Sequence, residues 1–320
     1  MDKHHISFPG LGIDEFTVSE NAIQVGNFKI AWYGIIIMFG IMCAILYVWF
    51  RFRENNMKTD DLIDLAFFTV FFGIIGARLY YIIFSLDSYI VTSKGGFFAN
   101  LFASLGKMLA VWNGGLAIYG GIIAGGTAAV LVARHKKMNM LKILGFLAPA
   151  VMMAQAIGRW GNFFNAEAHG GRVSMDYFLS MGIRNEGSFA TNYWHPTFLY
   201  ESLWNIVGFL AIWLIFVKIT KTRTLHKFNG QIFYTYLIWY GLGRAWIEGL
   251  RTDSLYLIPD VIRVSQLVAI LSVLVGTSLM VYSLVMLKKG KENAFVRRAT
   301  IPNKEKEEPT QEVNENGKDN

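Results

Sequence analysis

Apolar residues in this chain come in long runs rather than in strict alternation. A helix that crosses a bilayer needs about 20 mostly apolar residues. Seven runs of that kind lie at approximately 31–50, 62–84, 115–133, 142–158, 196–217, 231–249 and 262–287, each bounded by charged or turn-forming residues. The pattern predicts an all-α integral membrane protein with seven transmembrane helices. It divides the chain into an extracytoplasmic N-terminal segment (1–30), a seven-helix transmembrane domain (31–287) and a cytoplasmic tail (288–320). The tail is built from lysine, glutamate, asparagine and proline without apolar periodicity, which reads as disorder; its early basic cluster suits anionic lipid heads. Residues 1–28 hold no positively charged start followed by a short apolar run, so no cleaved signal peptide is expected.

Composition agrees with that reading. Hydrophobic residues make up 53% and charged residues only 17%, against about 25% charged in soluble domains. One cysteine, Cys43, excludes a disulfide framework and a cysteine-based zinc ribbon. The net charge of +7 would suit a nucleic-acid partner if the basic side chains formed one stripe. They form topological bands instead. Retention of Lys and Arg on the cytoplasmic side places the N-terminus outside, because 19 of the 30 basic residues then fall inside. These are Arg51, Arg53 and Lys58, then Arg134, Lys136, Lys137 and Lys142, then Lys218, Lys221, Arg223 and Lys227, with eight more in the tail. No nucleic-acid partner is expected; the lipid bilayer is.

Two features remain. Glycines recur at helical spacing in the third run, at Gly115, Gly120, Gly121, Gly125 and Gly126, and small residues of this kind let helices approach closely. Several ionisable side chains also sit in or at the ends of apolar runs, where a charge costs about 2.5–3.5 kcal/mol at mid-bilayer on insertion scales. Asp61 and Asp64 fall at a helix start, where negative charge is favoured for structural reasons. Arg78, Arg159, Glu201, Arg244, Glu248 and Arg251 fall together near the outer level, and Arg244 and Glu248 share one helical face at i,i+4. Arginine's planar fork matches phosphate oxygens in pairs, so this grouping points to an anionic headgroup. For Arg78 that functional role and a structural one, snorkelling or pairing with Glu201, are equally compatible with its position. The stretch Gly158-Arg159-Trp160-Gly161-Asn162-Phe163-Phe164-Asn165-Ala166-Glu167-Ala168-His169-Gly170-Gly171 is the densest polar segment of the outer region and reads as a ligand loop or as an interfacial one.

That stretch resembles the signature of the prolipoprotein diacylglyceryl transferases at eight positions: Gly158, Arg159, Gly161, Asn162, Phe163, Asn165, Glu167 and Gly170. Trp32-Tyr33-Gly34, Gly76-Ala77-Arg78-Leu79, His195-Pro196 with Tyr200-Glu201, and Gly243-Arg244 with Glu248 and Arg251 are similar to further motifs of that family. The resemblance implies transfer of the diacylglyceryl group of phosphatidylglycerol to the lipobox cysteine of a prolipoprotein, in the bacterial cell membrane and without cofactor or metal. It implies catalytic roles for Arg159, Arg244, Glu167, Glu248 and Tyr119, and phosphatidylglycerol contacts for Tyr33, Arg78, Arg159, Asn162, Asn165 and Gly170. One position departs: Tyr119-Gly120-Gly121 stands where many members have His-Gly-Gly. Tyrosine, with an ordinary pKa near 10, is a poor base at neutrality, so Glu167, Glu248 and Tyr119 stay open as the base. Cys43, toward the inner half of the first run, is not expected to react. His195 could relay a proton, and His169 reads first as an interfacial side chain. The competing class is a transporter of an anionic solute, which predicts charge crowded near the midplane and matched broken helices.

Overall fold

The computed structural model describes residues 3–25, 28–92, 95–111, 114–218, 227–252, 256–258, 262–293 and 296. Most of them are helical. In chain order the helices are α1 (Trp32–Glu54), α2 (Thr59–Phe84), α3 (Phe97–Leu109), α4 (Ile118–His135), α5 (Met140–Phe164), α6 (Thr197–Ile212, continued by a π-helical turn Trp213–Lys218), α7 (Gln231–Leu250) and α8 (Val264–Lys288). Among the described residues, six helices are long and apolar enough to cross a membrane: α1, α2, α4, α5, α6 with its extension, and α8. At 20 residues α7 has the length, but it carries Arg244, Glu248 and three tyrosines and is not one of the six. It packs against α5, α6 and α8, so its polar face meets protein rather than lipid. Charge matches the helix dipoles at the ends: Asp60 and Asp61 open α2, while Arg51 and Arg53 close α1 and Arg134 and His135 close α4.

Glycines set the closest packing. α2 and α4 touch along Gly73, Gly76, Gly120, Gly121 and Gly125, and a methyl group built on Gly76 would run into Ala124 Cβ and the Gly120 carbonyl. α1 meets α5 in the same way, where a Cβ at Gly40 would stand 3.3 Å from the Ala154 carbonyl and one at Gly158 3.2 Å from Ile37 Cδ1. Within hydrocarbon there is no hydrophobic drive between helices, and such close contact is what holds them together. The outward faces stay apolar and exposed, as at Met38, Phe39, Met42, Phe67, Phe71, Ile122 and Leu274. A buried cluster of Val48, Phe52, Leu62, Leu65, Ala129, Ile143, Phe146 and Ala150 seals one end of the bundle. At the same end Lys136 Nζ bridges Asp64 (2.6 Å) and Asp61 (3.3 Å), which ties α4 to α2. Hydrogen bonding to Asp64 and Asp61 holds the Lys136 ammonium pKa above the usual lysine value, so both aspartates have the structural role expected of them.

The expectation of an all-α chain needs correction at the opposite end. Strands β1 (Lys3–Phe8), β2 (Ile13–Ser19), β5 (Met181–Asn185) and β6 (Asn192–Trp194) form an antiparallel sheet in the order β2-β1-β5-β6, with His4 opposite Asn185 and Ile6 opposite Ile183. β3 (Asn21–Val25) with β4 (Phe28–Ala31), and β7 (Tyr256–Ile258) with β8 (Ile262–Arg263), form two further antiparallel two-stranded sheets. The strands are two to seven residues long, below the scale of the apolar runs that identify spans. Ile6, Phe8, Val18, Met181 and Ile183 pack with Phe163 of α5 and Phe198 of α6, so the sheet clamps those two helix ends. We call this the head end. α5 also runs six residues past its predicted limit of 158, so Gly158 to Phe164 is helix rather than loop. The disorder expected of the tail and the basic residues Lys221 and Arg223 lie outside the described residues.

The glycine seam gives a paired test. Gly76→Val overpacks the α2–α4 contact and should cost about 1–3 kcal/mol, read as a lower midpoint of thermal unfolding in detergent. Gly126→Ala, with no neighbour within 4 Å of its Cβ position, should leave the midpoint unchanged.

Candidate active site

Near the head end three helices bring their charges together. Arg244 and Glu248 lie one turn apart on α7, facing Glu201 of α6 and Arg159 of α5. Arg244 Nη1 donates to Glu201 Oε1 (2.8 Å), and Arg159 Nη2 meets the other oxygen, Oε2, at 2.6 Å. Arg244 Nη2 stands 2.6 Å from Glu248 Oε2 as an ion pair without hydrogen-bond alignment, and Arg251 Nη1 is 4.0 Å from Glu201 Oε1. Glu201 and Glu248 are 5% and 1% exposed. Carboxylates this dry persist as ions only when paired, and here two carboxylates are shared among three arginines. Two of the arginines differ in access: the side chain of Arg159 is 24% exposed and that of Arg244 13%. Arg244 is held between two acids; Arg159 looks outward.

From Arg159 a polar chain continues along the signature segment. Arg159 Nη1 donates to Asn162 Oδ1 (3.2 Å), Asn162 Nδ2 donates to Glu167 Oε1 (2.9 Å), and Asn165 Nδ2 reaches the same oxygen at 3.2 Å. The helix stops at Phe164, and Glu167 is aimed back by two alanines with positive φ, Ala166 (48°) and Ala168 (55°). A left-handed alanine costs roughly 1–2 kcal/mol, and such strain persists where surroundings over-determine it. The Ala168 carbonyl accepts from Thr197 Oγ1, and Gly170 N donates to the His195 carbonyl (2.9 Å). Gly170 is wedged among His195, Leu250 and Thr197, where a Cβ would meet the His195 Cβ at 2.7 Å. Its place is therefore a packing joint between the loop and the end of α7. His195 Nδ1 lies 3.2 Å from the Tyr200 hydroxyl, and burial pushes the His195 pKa below the usual histidine value.

Arg78 is set apart from this cluster. Its five N–H groups all go to main-chain carbonyls: Nε to Met108 (2.9 Å), Nη1 to Gly114 (2.5 Å) and Gly115 (2.9 Å), Nη2 to Lys107 (2.8 Å) and Ala110 (3.1 Å). The last carbonyls of α3 have no partner within their own helix, and Arg78 supplies it. It is neither at the surface nor paired with Glu201. Tyr119, in the first turn of α4, is half-buried. Tyr240, one turn before Arg244 on α7, lies in electrostatic range of Arg244, Glu201, Arg159 and Tyr119. Sequence reasoning left Tyr240 out, although its i−4 spacing from Arg244 puts it on the charged face. It also left Glu201 out of the site proper, although an acid inside an apolar run was the signal for it.

A cavity of about 620 Å³ begins at Tyr33, Gly158, Arg159, Asn162 and Tyr240 and continues between α1, α2 and α5 along side chains that are almost all apolar, such as Ile37, Ile41, Leu65 and Val151. Cys43 is not part of its lining. The arrangement can hold an anion at Arg159 with hydrocarbon beneath it. Apolar helices around a dry arginine–carboxylate cluster define a multi-pass membrane protein with an intramembrane polar site. Comparison with known proteins then narrows the class. A family model of prolipoprotein diacylglyceryl transferase matches residues 20–282. The phosphatidylglycerol–prolipoprotein diacylglyceryl transferases of Staphylococcus aureus strains bovine RF122 / ET3-1 and MSSA476 are 41% and 40% identical to it over 265 residues, 82% of this chain and 88% of each relative. This chain belongs to the prolipoprotein diacylglyceryl transferase family.

Removing the shared acid should be severe. Glu201→Gln leaves Arg159 and Arg244 facing a neutral amide, and breaking a buried pair costs about 3–5 kcal/mol, to be read from tryptophan fluorescence on heating. Arg78→Lys, with three donors for five carbonyls, should speed proteolysis between α3 and α4 while leaving the rest of the digestion pattern intact.

Proposed function

We propose that this protein transfers the diacylglyceryl group of phosphatidylglycerol to the lipobox cysteine of prolipoproteins, the first step of their lipidation. The reading rests on one observation, the Arg159–Glu201–Arg244 cluster at the polar mouth of an apolar cavity, and the family supports it. In this reading the chain crosses a bacterial plasma membrane seven times, α7 included. Its N-terminus and head end lie outside, and the tail lies in the cytoplasm. Residues 1–30 form the extracytoplasmic segment, 31–287 the catalytic domain and 288–320 the tail.

The substrate thiol is the nucleophile. Its sulfur bonds to the glycerol carbon that carries the phosphate, the carbon–oxygen bond breaks, and glycerol phosphate leaves with the electron pair. Arg159 holds the phosphodiester and Arg244, through Glu201, keeps Arg159 aimed; both stabilise the charge that grows on the departing phosphate. Asn162, Asn165 and Tyr33 give neutral hydrogen bonds to the head. A thiol with pKa about 8.5 is only a few per cent ionised at neutrality, so a base must take its proton. Glu167 suits that role better than Glu248, which is buried against Arg244, or Tyr119. Its carboxylate already accepts from two amides beside Arg159, and the proton it gains can pass to the phosphate. Arg78 acts on the lipid only by fixing the turn before Tyr119. Transport of an anionic solute explains the arginines less well, because they gather at one level rather than along a path.

The test is purified protein with phosphatidylglycerol and a lipobox peptide, followed by mass spectrometry for the thioether. Product is expected; its absence with active controls ends the transferase reading. Arg159→Ala should lower the rate by about 10²–10³-fold, as for loss of one charge-stabilising donor, while Cys43→Ala should match the unaltered protein.

A further inference from the structure

The cavity has two unlike halves. α1 lines it from Tyr33 to Val48 and α5 from Asn162 to Leu147, a depth of about 22 Å at the helical rise. α2 lines it only from Leu62 to Val70, about 12 Å. Nearer the head end α2 lies against α4 through Gly73 and Gly76. On that side the upper half is bordered by Leu116 and Ile118, both exposed, and so opens sideways. The lower half is walled by three helices and floored by Val48, Leu62 and Leu65, all buried and part of the sealed cluster with Phe52 and Ile143. Ala44 and Ala66 keep this lower half hollow from two different helices.

One leaflet supplies about 15 Å of hydrocarbon depth, half of a core about 30 Å thick. Below Arg159 the lining of α5 continues to Leu147, about 18 Å at the helical rise and still longer than that, so a lipid head held at the polar mouth sends a chain past the midplane. We infer that the lower half is a chain-length gauge. One acyl chain of the donor lipid threads it, the other leaves through the side opening, and the Val48–Leu62–Leu65 floor limits the longest chain that fits with its head at Arg159. A shorter chain leaves the lower half partly empty, and its lining forfeits the dispersion contacts a full-length chain would make. A longer one lifts its head away from Arg159. This rests on the proposal that the donor is a phospholipid, and adds to it a selection by chain length and the residues that make it.

The test uses an equimolar mixture of saturated phosphatidylglycerols from dioctanoyl to dioctadecanoyl. Two profiles are read from each preparation: the lipids bound to the protein, by native mass spectrometry, and the diacylglyceryl groups found on a lipobox peptide. Ratios within one preparation do not depend on how much of it is folded. Ala44→Phe and Ala66→Phe should each move both profiles at least tenfold from dioctadecanoyl toward didecanoyl chains. Leu131→Phe, in the separate groove between α2 and α4, should leave them as in the unaltered protein. Unchanged profiles in both alanine variants, or an equal shift in Leu131→Phe, overturn the gauge. If the unaltered protein makes no thioether, the transferase reading fails by itself, and the bound-lipid profile still decides the gauge.

Discussion

A carboxylate without water needs a cation, and a buried cation needs acceptors for its N–H groups. In this protein both demands meet at Glu201, whose two oxygens each take a different arginine from a different helix. The consequence is geometric as much as electrostatic. Arg159 of α5 and Arg244 of α7 cannot drift apart without exposing a dry charge, so three helices are held in register at the level where chemistry is proposed. Buried ion pairs add little net stability relative to apolar packing; what this one provides is position. Arg159 is left with one face toward the cavity, and that face is the part of the cluster a ligand can reach.

The glycine seams complement that arrangement. Charge fixes the helices at the head end, and backbone contact fixes them along their length. Because Gly73, Gly76 and Gly120 draw α2 onto α4, α2 leaves α1 and α5 over half their length, and the opening between them is the cavity's side window. The same seam places Arg78 beneath the end of α3, where its five N–H groups are all taken up by main-chain carbonyls. An arginine that looks like a ligand for phosphate thus serves the main chain.

The sequence makes some of this legible and hides the rest, for identifiable reasons. Spans are legible because hydrocarbon demands long apolar runs, and six helices meet that demand; α7 does so less well because its polar face is turned to α5 and α6. The grouping of Arg159, Glu201, Arg244 and Glu248 follows from helix direction and spacing alone. Which arginine takes which acid does not, since Arg78 and Arg159 stand at similar depth and only packing separates them. The strands at the head end are too short and too polar to register beside spans. The helical state of Gly158 to Phe164 is hidden because three of its seven residues are Gly or Asn, types that read as loop until α6 and the sheet supply packing partners. Tyr240 is invisible by composition, one of 14 tyrosines, and only its spacing of four from Arg244 marks it in the sequence.

The head-end sheet has a bearing on how the chain reaches this state. β1 pairs with β5, so His4 finds Asn185 across a separation of 181 residues. Contacts so far apart in sequence close late, and this one joins the first strand to a segment made after five of the helices. The N-terminal strands must therefore wait while α1 to α5 are placed. Until β5 arrives, Phe163 lacks the partners that cover it, and the α5 end that carries Asn162 and Arg159 is not clamped. Glu201 of α6 and Arg244 of α7 come later still in the chain, so the polar site can be complete only after the first strand has found β5 and both of those helices have been made.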